Sequence, residues 1–201
     1  MNEWNDFFRE KVKKIFEEKS EVIDIGGTLG LDLSRSNRVK GPTQWLLSYL
    51  PDVEYKVLDK VSDFNPDIVG DIHNLPLPDN SVEAIICSSV LEHVENPVRA
   101  VEEIYRVLKP GGYAYFYAPF IFYYHPEPAY YKDFFRITYD GWEHLVRDFS
   151  SREISPVHGP FATMINLLPF MSDRVDWLRP LDRWLRPNSR QVSGYNVFCI
   201  K

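Results

Sequence analysis

Apolar residues along the chain fall into short runs separated by charge and turn chemistry. Over residues 3–19, Phe8, Val12, Ile15 and Phe16 recur at helical spacing among Lys and Glu, which predicts an amphipathic first helix. Val22 to Gly30 then reads VIDIGGTLG, an apolar run, an acid and three glycines. Such a run reads as a buried parallel strand feeding a tight turn. After a polar stretch, Trp45, Leu46, Leu47, Tyr49 and Leu50 suggest a helix, and EYKVLD, DIVGD and EAIICSS read as three strands. Asn96 suits an N-cap and Pro97 the first helical position, with Val101, Ile104, Tyr105 and Leu108 following at helical spacing. Lys109-Pro110-Gly111-Gly112 stops that helix before the strand YAYFYAP. Further on, TYDGWEHLVRDF predicts a helix with Trp142, Leu145, Val146 and Phe149 on one face, and residues 152–158 and 194–200 read as strands.

This alternation argues an α/β fold, a mainly parallel sheet with helices on both faces. Ligands gather at the carboxyl ends of such strands. Asp24 with its glycines, Asp59, Asp71, Ser88, Ser89 and Pro119 all fall there. Each acid alone is explained by capping or loop solvation. Together they suit a nucleoside: an acid at the end of the second strand accepts from both ribose hydroxyls. Asp71 would face an adenine amine, with Ile72 as an apolar wall.

A net charge of -6 argues against a polyanionic partner, so no nucleic acid is expected. Cys87 and Cys199 sit in apolar runs and read as small buried hydrophobes of a reducing compartment, with no disulfide and no metal site expected. The start lacks the apolar core of a signal peptide, and no span approaches the ~20 apolar residues of a membrane helix, so the default location is cytoplasmic.

Between about Val22 and Thr138 stand DIGGTLG, VLD, DIVGDIHNLPLPDNSVEAIICSSVLEHV and EIYRVLKPGG, in that order. With these the sequence resembles the class I S-adenosylmethionine-dependent methyltransferases, in particular the small type 11 branch. The resemblance implies a Rossmann-like, doubly wound seven-stranded sheet, mostly parallel with a final antiparallel strand, in a single domain over residues 1–201. It implies S-adenosyl-L-methionine as cofactor, with Asp24, Gly26, Gly27 and Gly30 lining its methionine end. Asp59 falls at the ribose, Asp71 and Ile72 at the adenine, and Ser88 beside the sulfonium. Two departures stand out. Thr28 replaces a glycine of the family loop, and its branched Cβ resists a positive φ. The separation of Asp24 from Asp59 is also longer than usual, so residues 32–43 look like an inserted loop, either a lid or a surface excursion.

Methyl transfer from a sulfonium is an in-line displacement, so positioning supplies most of the catalysis. The segment FIFYYHPEPAYYKDFFRIT, within a lid over residues 120–138, lies where an acceptor site is expected. His125 is the best-matched base near neutral pH and Asp133 the second, while Tyr124 and Arg136 suit the orientation of an oxygen-rich or anionic small-molecule acceptor. The segment also resembles a sub-branch pattern H-x-x-P-x-D-Y-x-R-x-T, with extra residues before Asp133. A packed lid whose His merely caps a turn is the competing reading, and His93 is read as structural or cofactor-adjacent. Residues 160–190 form a helical insertion before the last strand. Its Trp177, Leu178, Leu181, Trp184 and Leu185 beside Arg174, Arg179, Arg183 and Arg186 are read mainly as packing on the domain or on a second subunit. Weak peripheral membrane contact is the minor reading of that stretch. The chain is expected as a monomer or homodimer. Transfer to oxygen or nitrogen leads, with an inert interaction module of the same fold and an NAD-dependent oxidoreductase as alternatives.

Overall fold

A computed structural model describes residues 6–31, 43–168, 179–185 and 189–201. Residues 32–42, all but the last of the stretch 32–43 expected as an insertion, and the positions Arg174, Trp177, Leu178 and Arg186 lie outside the described residues. In chain order the elements are α1 (Asp6–Glu18), β1 (Glu21–Ile25), β2 (Glu54–Asp59), β3 (Ile68–Val69), β4 (Val82–Ser88), α2 (Pro97–Val107), β5 (Leu108–Pro119), α3 (Tyr139–Leu145), β6 (Ser151–Pro156), α4 (Pro160–Asn166), α5 (Arg179–Leu185) and β7 (Gly194–Ile200). Seven strands form one sheet in the order β3-β2-β1-β4-β5-β7-β6. β1 to β5 pair in parallel, and β7 runs antiparallel to both β5 and β6. This is a Rossmann-like, doubly wound sheet, and its strand order reverses between β1 and β4.

Alternation along each central strand builds two cores, one per face. Phe8, Val12, Ile15 and Phe16 of α1 pack on Val22, Ala84, Ile86, Tyr113 and Tyr115. Ala100, Val101, Ile104 and Val107 of α2, with Trp142 and Val146 near α3, pack on Ile23, Ile85, Cys87 and Phe116. Both cysteines are buried and free. Helix α2 starts as its sequence requires: the Asn96 side chain accepts from the Arg99 N–H at 3.0 Å, and Pro97 follows.

Three elements differ from the pattern-based expectation. The apolar stretch after Thr43 forms only a 3-10 turn over Gln44–Tyr49. Pro51, without an N–H and restrictive of the residue before it, ends it there. The third strand is two residues long, because Pro66 precedes it and the chain turns at Gly70. Strand β5 takes in Lys109 to Gly112 as a bulge, since pairing passes from Val82 with Leu108 to Ala84 with Tyr113.

The loop from Asp71 to Ser81, which feeds the sheet edge, is held from below by α2. Buried Glu103 accepts from the Leu75 N–H at 3.0 Å, and Arg106 donates to the carbonyls of Leu75 and Leu77. Arg99 and Arg106 both pair with Glu103, at 2.8 and 2.7 Å. Glu103→Ala would leave a buried N–H and two guanidinium groups short of their acceptor. It is expected to lower stability by about 2–4 kcal/mol. Urea unfolding checks this through a lower midpoint at unchanged slope.

Candidate active site

The glycine turn after β1 is pinned from two sides. Gly26 N–H donates to the Leu58 carbonyl of β2 at 2.8 Å. The fully buried Asp24 carboxylate accepts from the Leu29 N–H at 2.9 Å and the Tyr55 hydroxyl at 2.6 Å. Positive φ angles fall on Gly26 (83°), Gly27 (62°) and Gly30 (60°). Thr28 is not among the positive-φ residues, so the branched side chain stands where the turn tolerates it. A Cβ on Gly26 would meet Val90 Cγ2 at 2.7 Å, so only glycine lets the turn lie against the end of β4. Ser89, which follows β4, is itself held at φ 53°, a sparsely populated conformation of the kind that gathers at functional sites.

These strand ends surround a cavity of about 600 Å³. Its sheet side includes Gly26, Thr28, Asp59, Gly70, Ile72 and Ser89. That volume is in the range of small-molecule and cofactor sites, roughly 300–1,000 Å³. Asp59 is buried and accepts from the Val61 N–H at 3.0 Å. The opposite wall comes from the segment after β5, through His125, Glu127, Tyr130 and Tyr131. The Tyr131 hydroxyl donates to the Asp59 carboxylate, 2.8 and 3.0 Å from its two oxygens. Tyr130 packs on Phe64, with ring centroids 4.7 Å apart.

That wall is fastened at several points. The N–H groups of Phe134 and Phe135 donate to the Glu92 carbonyl, and Ile137 N–H to the Pro119 carbonyl. The side chain of Asp133 is buried, accepts from the His125 N–H at 2.8 Å and forms an ion pair with Arg136. The guanidinium beside it holds its carboxyl far below the usual carboxylate range. Arg136 also donates to the carbonyls of Phe122, Tyr123 and Phe135. Asp133 and Arg136 therefore brace this wall, and neither lines the cavity. Tyr124 is 72% exposed and also lies off the cavity. His125 and His93 do line it.

Among the residues singled out on the sheet edge, Gly26, Asp59 and Ile72 come together on the cavity. Asp24, Gly27 and Gly30 shape the turn behind it. The Asp71 carboxylate turns to its own loop, accepting from the His73 N–H at 2.8 Å and meeting His73 Nδ1 at 2.6 Å. Ser88 is buried with its hydroxyl unpartnered among the described residues, while its neighbour Ser89 faces the cavity. The sequence reading passed over Tyr131 and Glu92. Tyr131 is one of eight aromatics in its segment, and only the fold brings it to Asp59. Glu92 follows Leu91 in a 3-10 turn, and nothing in its spacing marks an acid as fully buried.

Comparison with known proteins adds the following. Residues 43–116 match the family model described as "Methyltransferase domain". The chain is 30% identical over 108 residues to the chloroplastic 2-methyl-6-phytyl-1,4-hydroquinone methyltransferase 1 of Oryza sativa, covering 53% of this chain and 33% of that protein. It is 31% identical over 102 residues to the ubiquinone/menaquinone biosynthesis C-methyltransferase UbiE of Vibrio cholerae, covering 45% and 38%. The chain thus spans well under half the length of these curated relatives. A SAM-dependent methyltransferase structure from Archaeoglobus fulgidus superposes with a TM-score of 0.59 at 13% identity, covering 97% of this chain and 92% of that one, a likeness of fold. The fold is thus that of the methyltransferase structures, and the matched segment carries the second to fourth strands and most of the fifth. In sequence over residues 43–116 and in fold over nearly its whole length, the chain is similar to S-adenosylmethionine-dependent methyltransferases, whose cofactor is S-adenosyl-L-methionine.

The residues present suit that cofactor. A charged acceptor, Asp59, lies at the end of β2, apolar Leu58 and Ile72 flank it, and the turn opposite has room only for a glycine. A ribose reaching Asp59 would compete with the Tyr131 hydroxyl for its carboxylate. Tyr131→Phe removes that competitor and is expected to tighten S-adenosylhomocysteine binding about fivefold, near 1 kcal/mol. Isothermal titration calorimetry on the variant and the parent checks this.

Proposed function

We propose that this chain transfers a methyl group from S-adenosylmethionine to an oxygen or nitrogen of a small-molecule acceptor. The observation that carries the reading is Asp59 facing the Gly26 turn across one cavity whose far wall carries His125. When bound, the cofactor supplies an electrophilic methyl group on a sulfonium. Asp59 would hold the ribose hydroxyls through charged hydrogen bonds, and Leu58 and Ile72 would sandwich the base by apolar contact. The turn Gly26 to Gly30, held by Asp24, would admit the methionine end, and Ser89 rather than Ser88 offers a polar group beside it. The wall from Phe120 to Thr138 would exclude water and position the acceptor, braced by Asp133 and Arg136. His125 stands at the acceptor side, where an imidazole can take or direct a proton.

The quinone names of the curated relatives attach to proteins of which the chain covers about a third, so the acceptor is argued from this cavity instead. Its mixed lining, aromatic with two histidines, favours a compact acceptor with at least one ionisable oxygen or nitrogen. Among the described residues no helix is long and apolar enough to cross a membrane.

Asp59→Ala is expected to weaken cofactor binding more than tenfold, about 1.4 kcal/mol, in calorimetry. His125→Ala should leave that affinity intact and lower turnover of the acceptor once one is found. Failure of the parent chain to bind either S-adenosylmethionine or S-adenosylhomocysteine would favour an inert module. A thermal shift with NAD alone would favour an oxidoreductase.

A further inference from the structure

Glu92 is fully buried between the sheet edge and the wall above it, and neither carboxylate oxygen has a hydrogen-bond partner among the described residues. Buried carboxylates left without donors are costly, and the ones that persist are paired or bind metal. Two imidazoles approach it. His93 Nε2 lies 4.0 Å and His125 Nε2 3.9 Å from the same atom, Glu92 Oε1. One ligand atom from each of the three residues fits within 4.8 Å of the others.

The imidazoles are oriented as metal ligands are. His93 Nδ1 sits 2.8 Å from the Lys132 carbonyl, to which it donates, leaving Nε2 with its lone pair. His125 Nδ1 faces the Tyr123 carbonyl at 3.1 Å and Asp133 Oδ2 at 3.3 Å. Arg136 Nη2 lies 3.3 Å from Nδ1, but its two protons serve the Tyr123 carbonyl and Asp133 Oδ2 at the shorter distances of 2.7 and 2.6 Å, so we assign the proton on Nδ1 to the histidine. Carbonyl and carboxylate partners behind the ring are the usual second shell of a metal-binding histidine. Both Nε2 atoms therefore lie within 4.0 Å of one carboxylate oxygen, and both histidines line the cavity.

The geometry points to a binding site for one divalent first-row transition-metal ion at Glu92, His93 and His125, its open positions facing the acceptor side of the cavity. This departs from the expectation of no metal, which rested on the cysteines alone. Two imidazoles and one carboxylate favour ions such as Zn²⁺, Fe²⁺ or Co²⁺ over Ca²⁺ or Mg²⁺. Metal–ligand bonds of about 2.0–2.2 Å bring tetrahedral ligand atoms to roughly 3.3–3.6 Å apart, so the two Glu92–His pairs close by roughly half an ångström and the widest pair by up to roughly 1.5 Å. Resting on the methyl-transfer reading, the ion deepens it: it selects acceptors with an oxygen donor, and His125 then serves as a ligand that directs the acceptor rather than as the base. A hydroxyl bound there gives its proton to water more readily than a free one, and the oxygen is left as the better nucleophile.

The test is calorimetry and absorption spectroscopy of the full chain, stripped with chelator and titrated with Co²⁺. One equivalent should bind, with visible bands from nitrogen and oxygen ligation. Glu92→Gln and His125→Ala should each weaken binding at least tenfold while keeping the melting temperature and the S-adenosylhomocysteine affinity. No Co²⁺ binding by the parent chain overturns the site, and so do both variants binding as tightly as the parent. Should a variant fail to fold, the parent titration alone decides. S-adenosylhomocysteine binding by the metal-free chain is measured in parallel. Cofactor bound without Co²⁺ overturns the cation site alone, and Co²⁺ bound without cofactor supports the site while overturning the methyl-transfer reading.

Discussion

The site depends on a buried carboxylate that faces no cavity. Asp24 takes the Leu29 N–H and the Tyr55 hydroxyl, one from the far end of the glycine turn and one from the neighbouring strand. These bonds hold the turn open against β2 while Gly26 lies against the end of β4. Without that anchor the chain after β1 has no reason to keep three left-handed residues within five positions. The gap between β1 and β4, where strand order reverses, would then be filled by side chains.

Around this fixed edge the opposite wall is assembled differently. It carries little regular structure and is held by backbone hydrogen bonds to Glu92 and Pro119 and by the Asp133–Arg136 pair. A wall of this kind keeps its shape through polar contacts that sequence variation can move, while the sheet beneath stays constant. That division suits a domain in which one face handles a common cofactor and the other a particular acceptor.

The sequence made the strands, α1 and α2 legible because their signals are local: apolar runs ending in Gly or Asp, helical spacing in Phe8 to Phe16, and the cap at Asn96 with Pro97. Asp59 and Ile72 were legible because position at a strand end follows from strand order. Side-chain direction was not. Asp71 and Ser88 share the edge with Asp59 and Ile72, yet one is taken by a local turn with His73 and the other points into the core. The pairings that define the far wall join residues such as Tyr131 with Asp59 and His125 with Glu92, separated by long stretches of chain. No periodicity reports a contact of that kind. Thr28 is the instructive converse: a mismatch to the family loop has no backbone cost here, because the left-handed positions fall on its neighbours.

The Tyr131–Asp59 contact bears on which molecules can enter the cavity. The phenol of Tyr131 places its single proton between the two oxygens of Asp59, 2.8 and 3.0 Å away. A visitor offering a single hydroxyl at that point exchanges one donor for another and gains little. A visitor offering a vicinal diol supplies two donors for the one it removes. The resting contact thus sets a threshold that a vicinal diol is better equipped to clear than a lone hydroxyl, a bias set by what the protein must give up before it binds.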